Sequence, residues 1–324
     1  MCSPDLLPLT VNTLLYLFAR VVIGCIQCLP LSWVARLGRI GGYLFWCLDA
    51  RHRKIARDNI GQAFPDKTES EVTALACENF KRIGENFACG TKTASLSDQA
   101  VSRILTVKHA DRLQPNDERR WIFAVGHFGN FEMYARASQF LGDYRIATTY
   151  RGLRQPAFDR LLLHLREQSG SLFFERRKDG RRMKEALREG NLMLGLLADQ
   201  HAGDRGARLP FFGRECSTST APAVFALRYR CPLHVAICYR DEIGHWSIEI
   251  GEEIPTMENG TPRAVEAISA DVNAAYEEAI RRDPANWFWV HRRWKPASRI
   301  QVARAAAKPL PSAADSGDTA NTAD

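Results

Sequence analysis

Apolar positions along the chain follow two different rhythms. The N-terminal part is dense in them. Val11 to Leu29 is almost wholly apolar, with Arg20 as its single charge, and Leu31 to Leu48 adds Trp33, Tyr43, Phe45 and Trp46. About 19 helical residues reach roughly 28 Å, near the lower limit for a bilayer crossing. A mid-helix arginine is costly in hydrocarbon. The segment also lacks the basic start and small-residue cleavage site of a secretory signal. Aromatic and basic residues mixed in this way suit the membrane interface, so residues 1–50 are expected to form uncleaved, membrane-anchoring helices. The same pattern also fits a pair of ordinary core helices. The basic run from Arg51 to Arg57 that follows suits the cytoplasmic side of an anionic membrane, or a solvated helix face.

Further on, Asn59 to Asn86 reads as helix broken at Phe64-Pro65-Asp66. Val72, Leu75, Ala76, Phe80 and Ile83 lie at helical spacing between Ser70 and Gly84. After Asp117 short apolar runs alternate with amphipathic segments. Strands are expected at 121–125, 145–150, 171–174, 192–198, 233–239 and 246–250. Helices are expected at 131–141, 157–168, 181–189 and 218–229. Such alternation predicts an α/β fold with a mostly parallel central sheet flanked by helices. Residues 51–302 then form the main domain. From 303 to 324 the chain is rich in Ala, Ser, Asp and Thr without periodicity, and is expected to be disordered.

Right-handed crossovers bring the strand C-termini to one edge, where ligands of open α/β sheets bind. The residues just past those ends are His127, Arg151, Arg176, Arg177 and Asp199. Within Gly126-His127-Phe128-Gly129-Asn130-Phe131-Glu132, the histidine is expected in a strand-to-helix turn and Glu132 in the first helical turn. There Glu132 can accept a hydrogen bond from the imidazole and fix its tautomer. The pair suits a general base acting on an alcohol. Gly129 permits close approach of substrate, and Asn130 reads as a helix N-cap.

The chain carries 44 Lys and Arg against 37 Asp and Glu, a net charge of +7. The excess is concentrated: residues 151–188 hold eleven cations and five carboxylates. That surplus fits lipid phosphates, an acidic protein, or both. The chain has no recognisable nucleic-acid module, so no nucleic-acid partner is expected. Nine irregularly spaced cysteines read as mostly buried free thiols in a reducing compartment. Neither HExxH nor a histidine pair at helical spacing is present, and His201 near Asp199 is weak support for a metal, so none is expected.

The motif GHFGNFE resembles the histidine–four residues–acid signature of glycerolipid acyltransferases. The wider pattern resembles the bacterial lipid A biosynthesis acyltransferases over roughly residues 10 to 300. It includes RKIARDNIGQAFPD, ENFKRIGENF, ERRKDG, LLADQHAGDRGARLPFFG, STSTAPAVFALR and NWFWVHRRWK. The resemblance implies transfer of a fatty acyl chain from an acyl-carrier-protein or coenzyme A thioester to a glycolipid hydroxyl, with no other cofactor. The acceptor is a lipid A-type precursor or another glycolipid or phospholipid, and the enzyme works at the cytoplasmic face of the inner membrane. His127 is then the base and Glu132 its partner. Arg151, or the backbone near Gly129 and Asn130, stabilises the oxyanion. Arg176 and Lys178 bind phosphate, and Asp199 with Gln200 supports the site. Glu175 stands where many relatives have aspartate. Leu209 to Phe212 and Trp287 to Trp289 read as core or as the lining of an acyl groove. A catalytically silent lipid-binding protein on the same fold is the alternative.

Overall fold

The computed structural model describes residues 11–113, 119–153 and 155–298. The tail from 303 onward, Arg154 and Asp117 lie outside the described residues. Two N-terminal helices, α1 (Val11–Cys28) and α2 (Leu31–Leu48), are followed by α3 (Ala50–Ala63) and α4 (Glu69–Thr93). Thr68 caps α4 through a reciprocal box with Glu71, which satisfies amide groups that the first turn leaves open. The helix runs nine residues beyond Gly84, where the sequence pattern stops. Gly84 does not end it, because this glycine is a contact point. A Cβ on Gly84 would stand 2.2 Å from the carbonyl of Gly38, and one on Gly42 would stand 2.2 Å from that of Phe80. Helices α2 and α4 therefore pack backbone to backbone. Glu85, with no exposed side-chain surface, joins Arg39 of α2 at 3.2 Å.

A short helix α5 (Asp98–Val101) leads into a seven-stranded sheet. Its strands are β1 (Leu105–Lys108), β2 (Arg120–Val125), β3 (Arg145–Tyr150), β4 (Leu172–Glu175) and β5 (Leu192–Leu197), joined later by β8 (Leu233–Glu242) and β9 (His245–Glu253). The spatial order is β1-β9-β8-β2-β5-β3-β4. Five neighbouring strands run parallel, while β8 and β9 form an antiparallel hairpin turned at Gly244, which has φ of +78°. All six residues of β2 are buried, as expected for a strand covered on both faces. The covering helices are α6 (Pro156–Glu167), α7 (Gly180–Glu189), α8 (Ala221–Tyr229) and α9 (Val265–Arg282). The fold class is thus α/β with a mostly parallel central sheet flanked by helices.

Several local expectations are corrected. Residues 131–140 form a run of 3-10 turns rather than an α-helix. Strand β1 and the hairpin β6 (Ala207–Phe211) with β7 (Arg214–Thr218) have no counterpart in the periodicity. Cys25, Cys28 and Cys47 are exposed, whereas Cys89, Cys216, Cys231 and Cys238 are buried. Among the described residues no helix is long and apolar enough to cross a membrane. Helices α1 and α2 instead show an outward apolar face that includes Phe18 at 69% and Leu48 at 83% exposure.

The α2–α4 contact makes a simple prediction. Gly42→Ala should lower stability by about 1–3 kcal/mol through overpacking. Gly61→Ala in α3, where nothing lies within 4 Å of the added carbon, should raise it by about 0.5–1 kcal/mol. Urea midpoints of the two variants measure the contrast.

Candidate functional site

The register of β2 against β5 builds the site. Val125 pairs with Leu197, so the residues two places beyond each strand end, His127 and Asp199, emerge at the same height in adjacent strands. Neighbouring strands lie about 4.8 Å apart, within reach of a hydrogen bond between side chains. The Asp199 carboxylate takes three donors. Oδ1 accepts from Nδ1 of His127 at 2.9 Å, and Oδ2 accepts from the His127 backbone N–H at 3.0 Å and from Nε1 of Trp287 at 2.9 Å. Nδ1 therefore carries a proton, and Nε2 has no partner among the described residues. The imidazole is one-fifth exposed, while the carboxylate has no exposed surface. Phe131 meets the ring edge-on at 5.0 Å between centroids, and Phe288 lies at 5.9 Å.

Burial alone would raise the Asp199 carboxyl. The charge and hydrogen bonds of His127 outweigh it and hold the group well below the usual carboxylate range. His291, which packs edge-on against Trp287, shifts the other way: burial lowers it to about 4. It stays neutral beside the pair, donating from Nδ1 to the Phe288 carbonyl at 2.9 Å.

The turn between β2 and the 3-10 run needs its glycines. Gly129 has φ of +49°, and a Cβ there would stand 2.6 Å from the carbonyl of Cys238. One on Gly126 would meet the Phe128 ring at 2.6 Å. Phe128 pairs with Trp287 through a single antiparallel bridge, and the Gly129 N–H donates to the Asn286 carbonyl at 3.0 Å. Asn79 of α4 donates to the carbonyls of Ala285 and Trp287. Helix α4, the β2 turn and the segment 284–289 are thereby locked around the imidazole.

Glu132 does not hold His127, and this corrects the expected partnership. Its two oxygens accept a fork from Arg166 of α6, at 2.6 Å from Nη2 and 3.1 Å from Nε. The 3-10 winding of this segment accompanies that placement, with Glu132 facing α6. Asn130 is buried but makes no capping hydrogen bond. Arg151 is exposed beyond β3, separated from β2 by β5. Arg176 and Lys178 are exposed past β4, at the edge of the sheet, and do not join His127. Glu175 is buried there and accepts from the N–H groups of Arg177 and Lys178. Gln200 follows Asp199 and is half-buried.

Between core and groove, packing assigns most of the aromatics among residues 209–212 and 287–289 to the core, while Phe288 lines the cleft at His127. Phe211, Trp287 and Trp289 have no exposed surface and belong to the core. The apolar space lies elsewhere. A cavity of about 150 Å³ opens between α4, the 3-10 run and α6, with Phe87, Phe131, Leu162 and Leu165 among its walls. Asn86, Phe87 and Phe131 line both this cavity and the cleft at His127. Asp199 as the acid on His127, and Trp287 as its third donor, went unrecognised in those roles. The signal available was an Asp directly after a buried strand.

Comparison with known proteins adds the family context. The sequence model of the family described as bacterial lipid A biosynthesis acyltransferase matches residues 6–296. A lipid A biosynthesis acyltransferase of Haemophilus influenzae is 26% identical, covering 83% of this chain and 86% of its own length. The lipid A biosynthesis lauroyltransferase of Escherichia coli K12 is also 26% identical, covering 82% and 87%. A palmitoleoyltransferase of the same strain is 25% identical, covering 76% and 79%.

The depressed Asp199 carboxyl has a consequence for acid stability. The native state binds fewer protons than the unfolded chain as pH falls below about 4, so the stabilisation is present above that pH and fades below it. Asp199→Asn should be less stable than the wild type at pH 7 by about 3–5 kcal/mol. The gap should narrow progressively as pH falls below about 4. Urea titrations of both proteins across that range measure it.

Proposed function

The chain belongs to the bacterial lipid A biosynthesis acyltransferase family, and from that premise we propose that it transfers a fatty acyl chain from a thioester donor to a hydroxyl of a lipid A-type precursor. The observation that carries this reading is the His127–Asp199 pair, set in a cleft that shares Asn86, Phe87 and Phe131 with an apolar cavity. Nε2 takes the proton of the acceptor hydroxyl as its oxygen attacks the thioester carbonyl, and later returns that proton to the departing thiolate. Asp199 keeps the imidazole in the tautomer this requires and stabilises the cation that forms. The acyl chain runs past Phe131 into the cavity, whose wall the Glu132–Arg166 fork braces. No metal or prosthetic group takes part in this scheme.

The donor is acyl carrier protein or coenzyme A. Arg176, Arg177 and Lys178 are exposed together beyond β4 and suit the phosphate of either donor, an acidic carrier surface or a phosphorylated acceptor. The outward apolar face of α1 and α2 supports docking in the plane of the membrane interface rather than a span. Among the basic run, Arg51 and Lys54 are exposed beside that face, which suits the anionic cytoplasmic leaflet of the inner membrane.

Acyl transfer from a lauroyl thioester to a lipid A precursor tests the site. His127→Ala should lose about 10²–10⁴-fold in kcat, and Asp199→Asn on the order of 10⁴-fold. Glu132→Gln and Arg166→Gln should each cost less, and the double variant no more than the worse single one, because the two act as one unit. Undiminished transfer by a folded His127→Ala protein overturns the reading.

Vesicle flotation tests the docking face. The wild type should float with vesicles containing anionic lipid, and a Leu17→Asp, Phe18→Asp variant should remain in the soluble fraction. Equal flotation of both would remove α1 from the membrane surface.

A further inference from the structure

The side chain of Asn130 has no part in the His127–Asp199 pair, yet it is 1% exposed and neither its Nδ2 nor its Oδ1 has a hydrogen-bond partner among the described residues. A buried amide left in this state costs on the order of 1–3 kcal/mol for each open group. Such groups are rare in native structures and call for a partner. Asn130 lines the 150 Å³ cavity, three residues from His127. Its Oδ1 lies 3.4 Å from where a Cβ on Gly90 would stand, and Glu132 Cγ lies 3.3 Å from the same point. The absent side chain at position 90 thus leaves room for the amide to be packed in place.

Acyl transfer through His127 needs a donor for the oxyanion. Two other candidates are committed or remote. The Gly129 N–H is spent on the Asn286 carbonyl at 3.0 Å, and Arg151 is exposed beyond a strand two places from β2. Asn130 offers a desolvated N–H in the cavity wall, next in sequence to Phe131, which lines both the cleft and the cavity.

We propose that Nδ2 of Asn130 donates a hydrogen bond to the carbonyl oxygen of the acyl thioester, an assignment that rests on the acyl-transfer reading of this site. The acceptor oxygen forms a bond to the carbonyl carbon and gives its proton to Nε2 of His127. The π pair of the carbonyl moves to its oxygen, and the Asn130 N–H holds the charge. The carbonyl then reforms, the carbon–sulfur bond breaks, and the thiolate leaves with the proton from His127.

The test uses the full-length protein with lauroyl-CoA and a lipid A precursor for turnover. S-dodecyl-CoA, a thioether with no carbonyl oxygen, is the binding probe. Asn130→Ala and Asn130→Asp should lose about 10²–10³-fold in kcat, while binding S-dodecyl-CoA within about twofold of wild type. Asn130→Ser keeps a short donor and should recover roughly tenfold of the alanine loss. A kcat within about threefold of wild type in Asn130→Ala, or a loss of thioether affinity as large as the loss in kcat, overturns the assignment. If the alanine variant does not fold, Ser and Asp decide: equal kcat in the two overturns it. Absence of transfer by the wild type from both lauroyl-CoA and lauroyl-acyl carrier protein would instead sink the acyl-transfer reading.

Discussion

A carboxylate with no exposed surface, Asp199, sets the terms for the rest of the site. Removing such a charge from water costs several kcal/mol even after relaxation unless donors compensate it. Here three donors come from two distant stretches of chain: the backbone and ring of His127 after β2, and the indole of Trp287. Losing any one of them leaves a buried charge under-compensated. The imidazole is consequently held by two contacts to one carboxylate, and its free nitrogen has one direction to face. The C-terminal segment is pinned by the same group, which is why residues more than 150 positions from His127 form part of its cleft.

Helix α4 supplies the opposite wall. Asn79, Ile83, Asn86, Phe87 and Gly90 recur at three- and four-residue steps and share one face. That stripe lies beside the imidazole at one end and beside the cavity at the other. It exists only because the helix continues through Gly84, and Gly84 is tolerated there because α2 presses its backbone against it. The N-terminal helices with the outward apolar face are thus rigidly coupled to the wall of the acyl cavity.

The parallel strands were legible because buried strands are continuous apolar runs, and the order of strand and helix named the fold class. His127 was legible because it directly follows such a run between two glycines. Its acid partner was not. Glu132 is five residues away in sequence, whereas Asp199 is 72 positions away and becomes a neighbour only through the pairing of β2 with β5. Nothing in residue type announces that β5 lies between β2 and β3. The same limit applies to aromatics. Trp287 and Phe211 have the composition of a groove lining, and only packing reveals that both are fully enclosed. The hairpin of β6 and β7 escaped because Pro210 and Gly213 interrupt any alternation.

The site holds two acids whose surroundings separate their roles. Glu132 is about one-quarter exposed and forked to the guanidinium of Arg166. Both of its oxygens are engaged by that guanidinium, and it spans from the 3-10 run to α6, so its natural effect is on the shape of the cavity. Among the described residues, Asp199 forms no ion pair with an arginine or lysine. Its closest charged neighbour is the imidazole itself, so any positive charge that His127 acquires is felt by Asp199 at full strength in a poorly screened setting. A proton taken up at Nε2 deepens the interaction at Nδ1, whereas a proton on the acceptor hydroxyl does not. Orientation of the base and stabilisation of its charged form therefore reside in one buried contact. The motif's own acid is left to hold the walls between which the chain must lie.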